Sequence, residues 1–218
     1  MPQASVFHWI DGNGLLILAP GTPGSSDIRA QAIGRAPSGG ALVCAMVNGL
    51  GDSSDALLDD LEQLGAPAGY LVDLVTEDDE TIEQALREAS IIVIESGRDV
   101  QSARSALLGA AQRGIRTAYE QGAVVLAEGN SALLFGKWML AENAAVLDGF
   151  GWISEAVIVG VQGELSEQVK PLLAEHPHGY AVGITGNTAL ALGPGAQVSV
   201  WGDQQVAITL GTQYGQSA

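Results

Sequence analysis

Three short runs of wholly apolar residues, at 41–47, 91–94 and 123–126, and a fourth at 70–75 broken only by Asp73, punctuate this chain. A strand reads this way when both its faces are covered, which in practice means a parallel sheet with helices on either side. The intervening stretches agree. Leu57, Leu58, Leu61 and Leu64 form a helical stripe across 52–64 that stops at Gly65. Thr76 can cap a helix over 77–89, although Asp79 stands where a full capping box would hold Glu or Gln. Further helical stretches are predicted at 27–33, at 100–113 up to Gly114, at 115–121 and at 131–143. Strands alternating with helices through short loops predict an α/β fold. The expected form is three-layered, a mostly parallel central sheet flanked by helices.

The pattern changes towards the carboxyl end. A strand at 156–161 and a helix at 166–175 precede four closely spaced strands at 180–184, 189–192, 197–201 and 204–210. They predict a C-terminal antiparallel extension across 180–210. At the other end, 5–10 and 15–18 flank the turn residues Asp11, Gly12, Asn13 and Gly14, which predicts an N-terminal hairpin over 5–18. With 218 residues the expectation is one domain, 1–218.

Residues 122–136 carry the most chemistry. An apolar strand runs into small residues and then a second apolar stretch, the layout of a nucleophile elbow. In such a turn the residues two before and two after the tip must be small, because the backbone folds back on its neighbours. Centred on Ser131 the flanks are Gly129 and Leu133, and Leu133 is too large. Centred on Gly129 they are Ala127 and Ser131, both small. Sterics therefore put Gly129 at the tip, where a nucleophile would need a side chain.

Composition narrows the partners. The net charge is −16, with Lys137 and Lys170 the only lysines. Such a surface repels phosphate backbones, so no nucleic-acid partner is expected. No apolar run approaches the about 18 residues that span a membrane. The chain does not open on a basic segment followed by an apolar one, so a cytoplasmic location is expected and no membrane partner. Cys44, the single cysteine, lies in an apolar run and reads as a buried structural thiol. The carboxylates at 52–60 and 77–80 lack metal-loop spacing and read as solvated helix faces, so no metal and no cofactor is expected.

The order of these motifs resembles the cyanophycinase and alpha-aspartyl dipeptidase family of serine peptidases, which share a class I glutamine amidotransferase-like fold. Four segments carry the likeness: 55–65 before the second strand, 89–99, 122–136 and 183–190. Residues 89–99 look like the family strand ending in Gly-Gly-Asp/Asn. Residues 122–136 look like the strand and elbow that read Gly-x-Ser-Ala-Gly-Ala. Residues 183–190 are similar to Gly-Ile-Asp-Glu-x-Thr-Ala-Leu. The resemblance implies that the nucleophile position falls on Gly129. Residues 149–162 are similar to the stretch supplying the catalytic histidine. There the histidine position falls on Val161 and an acidic one on Val159. The paired acids fall on Thr185 and Gly186, and a glycine of the oxyanion turn falls on Ser96. Acyl transfer needs a nucleophile, a base and an oxyanion site together. The resemblance thus implies a non-catalytic member that retains a small cleft for an anion or peptide.

Alternatives stay open on the residues. Ser131 is a nucleophile if two residues are inserted before it, or a cap on backbone N–H groups. Glu128 is a general base or ligand-facing carboxylate, or a solvated turn residue. On those readings the chain is an active hydrolase with rearranged machinery. A structural or interaction subunit, with homo-oligomer formation, is the third reading. The expected cleft joins Ser96, Gly97, Arg98 and Asp99 to Glu128, Gly129, Asn130 and Ser131. His176 and His178 read as exposed loop residues and His8 as a surface or interface residue. Trp9, Trp138, Trp152 and Trp201 read as core or subunit-contact residues.

Overall fold

The computed structural model describes residues 7–21, 25–142, 145–161, 163–203 and 205–215. Its larger sheet has seven strands. Five are parallel: β1 (Leu15–Ala19), β2 (Ala41–Met46), β3 (Gly69–Asp73), β4 (Ala89–Ile94) and β5 (Val124–Glu128), ordered β1-β5-β4-β2-β3. The helices between them are α1 (Ser26–Ile33), α2 (Asp52–Gln63), α3 (Asp79–Arg87), α4 (Val100–Leu107) and α5 (Ala110–Gln121). Helices α1 and α2 cover one face, where Ile28, Ala32, Leu57 and Leu61 pack on Ile17, Cys44, Val93 and Leu126. Helices α3, α4 and α5 cover the other, against Val43, Ile92 and Val125. This is the α/β arrangement that the fully apolar runs predict.

A second, mixed sheet lies beside the first. It is built from β6 (Gly136–Leu140), β7 (Val146–Asp148), β8 (Ile153–Gly160), β9 (Tyr180–Ile184) and β12 (Val206–Leu210), ordered β12-β9-β8-β6-β7. Strands β9, β8 and β6 are parallel, with β12 and β7 antiparallel at the edges. Helix α6 (Leu165–Glu175) covers its outer face through Val169 and Leu172. The inner face shares a core with the first sheet: Ile158, Tyr180 and Val182 belong to the same apolar cluster as Leu16, Leu18 and Leu190.

The C-terminal strands therefore do not extend one sheet. After β9 the turn at Gly186 (φ +49°) sends the chain across, and β10 (Thr188–Gly193) pairs antiparallel with β1, followed by β11 (Gln197–Gly202) at the edge. This displaces the expected N-terminal hairpin. Both sides of β1 are occupied, by β5 and β10, so no edge remains for residues 7–10. They cross instead to the second sheet, where Trp9 bridges Ile153 and the Ile10 N–H donates to the Trp152 carbonyl at 2.9 Å. Residues 5 and 6 lie outside the described residues. Gly14 makes the crossing fit, since a Cβ there would sit 2.5 Å from the Ala123 carbonyl oxygen.

Three local expectations are also corrected. The helix over 131–143 is a 3-10 helix, Gly129–Phe135, followed by β6. Beside β8 an extended strand buries Trp138 and Met139 on opposite faces, which a helix in that slot could not do; residue 143 lies outside the described residues. Asp78, not Thr76, caps α3, accepting from the N–H groups of Glu80 and Thr81. The break after α4 falls at Gly109 (φ +81°) rather than Gly114. Gly114 lies inside α5 where α3 presses close: a Cβ there would sit 2.8 Å from the Glu83 carbonyl oxygen.

Among the described residues no helix is long and apolar enough to cross a membrane. Trp138, Trp152 and Trp201 are buried and Trp9 half-buried. Trp152 joins helix to sheet, its ring 5.2 Å from Tyr119 of α5 and 5.0 Å from Phe135. Replacing Trp152 by Ala should cost about 3–5 kcal/mol by chemical denaturation, the usual toll for emptying a large aromatic site. A loss under about 1 kcal/mol would show that the two sheets do not depend on this cluster.

Candidate functional site

Strands β4 and β5 are parallel neighbours with Ile94 opposite Ala127, so the segments that follow them leave the sheet side by side at its carboxyl end. In open α/β sheets this end is where ligands bind. The two turns are tied together by hydrogen bonds. Asn130 donates its backbone N–H to Ser96 Oγ at 3.3 Å and its Nδ2 to the Gly97 carbonyl at 2.9 Å. Ser131 Oγ donates to the Glu95 carbonyl at 2.6 Å. From the end of β2, Asn48 grips the same turn from the other side. Its N–H donates to Glu95 Oε1 at 2.8 Å, its Nδ2 to the Ser96 carbonyl at 2.9 Å, and its Oδ1 accepts from the Arg98 N–H at 3.0 Å. Residues 96–98 and 129–131 are thus adjacent, and the side chains of Ser96, Asn130 and Ser131 are spent on bonds within and between the two turns.

Glu128 points away from this junction. Val124 and Leu126 face α1 and α2, and strand alternation aims Glu128 the same way. There it meets Arg29 of α1 in a bidentate pair, Nε to Oε1 at 2.8 Å and Nη2 to Oε2 at 2.7 Å. The third guanidinium nitrogen reaches Asp60 Oδ2 of α2 at 2.6 Å. The side chains of Arg29 and Glu128 are 10% and 4% exposed, so the carboxylate meets neither solvent nor a cleft. Burial pulls the Arg29 guanidinium down, but its bonds to Glu128 and Asp60 outweigh that and hold it above its usual value. Cys44 lies in the same layer. Burial pushes its thiol up to about 12, with Arg29 pulling it down and Glu128 and Glu95 adding to the rise. It is a buried apolar-site thiol without thiolate character. Burial also raises Glu95, against the opposing pull of Asn48 and Arg98.

The positions named by resemblance gather at the same end. Gly129, at φ +54°, occupies the tip directly after β5. Ala19 of β1 lies opposite Glu128, and the segment leaving β1 runs under β8 and β9. A Cβ on Gly160 would sit 3.2 Å from the Pro20 carbonyl oxygen, and one on Gly21 would overlap the Gly186 carbonyl. Val159 and Val161 are half-buried against the α6 cluster, and the Val161 N–H donates to the Ile184 carbonyl at 3.0 Å. Thr185 is half-buried and Gly186 exposed. None of these five positions carries an imidazole or a carboxylate.

No histidine compensates among the described residues. His176 stacks on Trp138 at 4.2 Å, His178 Nδ1 lies 3.0 Å from the Gln213 carbonyl, and His8 is exposed. Ser131 is fully buried and its hydroxyl is bonded to a carbonyl, not to an imidazole.

Arg98 and Asp99 do reach open space. They line a groove of about 1030 Å³ with Val47, Leu74, Val100 and Glu142, bounded by the amino-terminal part of α4. Asp99 caps α4, accepting from the Ser102 N–H at 2.8 Å and the Ser102 hydroxyl at 2.7 Å, which hold its carboxyl below the usual range. The expected cleft is therefore split. Arg98 and Asp99 line the groove, Ser96 and Asn130 are half-buried outside its lining, and Gly97, Glu128, Gly129 and Ser131 are buried. Sequence reasoning missed Arg29, Asn48 and Asp60. One signal was present: Arg29 sits between Ile28 and Ala30 in a chain with only 9 basic residues.

Among solved structures the chain is similar to a peptidase from an acI-B1 actinobacterium, at 16% identity and a TM-score of 0.74 over 91% of each chain. It is also similar to a putative peptidase E protein from Listeria monocytogenes EGD-e, at 16% identity and a TM-score of 0.63, covering 87% of this chain and 98% of that one. Comparison with family models and with curated proteins gives no match. The likeness is one of fold: this is a peptidase-like α/β scaffold.

Just before Leu74 and Val75, which line the groove, lies a buried carboxyl whose pKa shifts on folding. Burial pushes Asp73 up, but bonds from the Thr76 hydroxyl and the N–H groups of Val75, Leu50 and Thr76 outweigh it and hold the carboxyl below its ordinary value. A carboxyl depressed on folding adds stability above its unfolded pKa of about 3.9, and that stability is lost as pH falls through the lower folded value. Asp73→Asn should therefore destabilise the protein at neutral pH, with the difference from wild type shrinking below about pH 4. Urea midpoints across that range check it. A difference independent of pH would contradict it.

Proposed function

We propose that this chain is a non-catalytic relative of the cyanophycinase and dipeptidase-like peptidases, keeping their scaffold and binding a small carboxylate or peptide in the groove beside Arg98. The carrying observation is Gly129. The elbow tip, at the end of the central strand, has positive φ and no side chain to attack a carbonyl. Two further observations support the reading. The hydroxyl of Ser131, two residues on, is buried and donates to the Glu95 carbonyl. The nearest carboxylate, Glu128, is neutralised by Arg29. An acyl-enzyme needs a free nucleophile and a base within reach; a rearranged hydrolase built on Ser131 or Glu128 would first have to break these contacts.

Binding needs less. Arg98 is exposed at the groove wall and its guanidinium can take a carboxylate through two parallel hydrogen bonds. Val47, Leu74 and Val100 supply an apolar floor for the rest of a small ligand.

Intact-protein mass measurement after fluorophosphonate treatment tests the chemistry. Wild type and Ser131→Ala should both remain unlabelled, and neither should cleave aspartyl dipeptides or cyanophycin. Stoichiometric labelling of wild type that Ser131→Ala abolishes would overturn the proposal in favour of an active hydrolase.

A further inference from the structure

The charge of this chain is unevenly spread. Of its 25 acidic and 9 basic residues, Asp203 alone lies beyond Glu175. That depleted segment supplies both β11 and β12, and each is the edge strand of its sheet. Edge strands offer unpaired N–H and C=O groups, and proteins ordinarily guard them with charges, lysine above all. Here the guard is missing. Neither lysine lies on these strands, and they expose Val198 (38%), Val200 (48%), Ile208 (41%) and Leu210 (50%).

Register shows where these side chains point. Val198 and Val200 stand opposite Leu192 and Leu190, and Ile208 and Leu210 opposite Val182 and Tyr180. Those four partners all belong to the core shared by the two sheets. The exposed residues therefore continue that core outward, at the side where both sheets end. Strand β12 also packs near β10, so the two edges flank one apolar mouth. The opposite edge of the large sheet differs: Tyr70 of β3 is exposed, but Glu77 and Glu88 stand close enough to act on its hydroxyl.

We propose that β11 and β12 form a self-association surface whose occupant is a second copy of this chain. Charge selects that partner. Two chains each carrying −16 repel over most of their surfaces, whereas β11 and β12 themselves carry no charged side chain, so approach along these strands sets no like charges on them face to face. Pairing β11 with its own copy, antiparallel across a two-fold axis, satisfies both edges at once. It sets Val198 and Val200 of one chain beside those of the other on a single face, and covers Ile208 and Leu210. The surface is independent of the groove beside Arg98.

Sedimentation velocity of the full chain, from micromolar to hundred-micromolar concentration, tests this. The expected species has twice the chain mass, and its fraction rises with added salt because screening weakens the repulsion between copies. Val200→Lys and Ile208→Lys should each weaken the dimer by about tenfold or more, a lost apolar contact plus a new desolvation cost, with unchanged circular dichroism. Leu108→Lys, at an exposed apolar residue elsewhere, should leave it intact. Hydrogen exchange of the wild type needs no variant: β11 amides should slow as concentration rises. A monomer at every concentration and salt level would overturn the proposal. So would a dimer indifferent to both β-edge variants, or β11 amides that exchange at one rate throughout.

Discussion

The buried pair between Arg29 and Glu128 decides what the carboxyl end of this sheet can be. Glu128 is the last residue of β5, a strand in the interior of the large sheet, and it precedes the glycine at the elbow tip. A carboxylate buried at that position is tolerable only with a partner, because desolvation of a lone charge costs several kcal/mol. Arg29 supplies a planar fork matched to both oxygens and uses its remaining nitrogen on Asp60. Three elements, α1, α2 and β5, are thereby fixed to one another at the point where a hydrolase would keep its reactive group accessible.

The neighbouring turn follows the same logic. Residues 95–98 are held by Asn48 on one side and by Asn130 and Ser131 on the other. Hydrogen-bonding groups that could face a substrate satisfy backbone instead, which removes the cost of burying them unpaired. What remains open lies beyond Arg98, towards α4. On the proposed reading, the polar groups at the elbow of this peptidase-like scaffold serve as the cement of the fold.

The parallel strands were legible in the sequence because each is buried on both faces and so is apolar throughout. The hairpin was misread because local alternation cannot reveal that β1 is flanked by β5 and β10, more than 100 and 170 residues onward. The stretch after Ser131 is apolar enough for either helix or strand, and β8 decides in favour of a strand through a tertiary contact. At the site, the adjacency of the 96–98 and 128–131 turns followed from parallel neighbours ending together. The fate of Glu128 did not, since its partner lies 99 residues away and nothing near it in sequence announces a cation.

A double-mutant cycle on Arg29→Ala and Glu128→Ala, read by chemical denaturation, tests most directly whether Glu128 is a structural anchor. The account predicts that Arg29→Ala costs about 3–5 kcal/mol by leaving the buried Glu128 carboxylate alone, that Glu128→Ala costs less because Asp60 still holds Arg29, and that the double change costs clearly less than their sum. Additive effects with each single loss under about 1 kcal/mol would contradict it, and would mean that the Glu128 carboxylate is free to serve a ligand or a reaction.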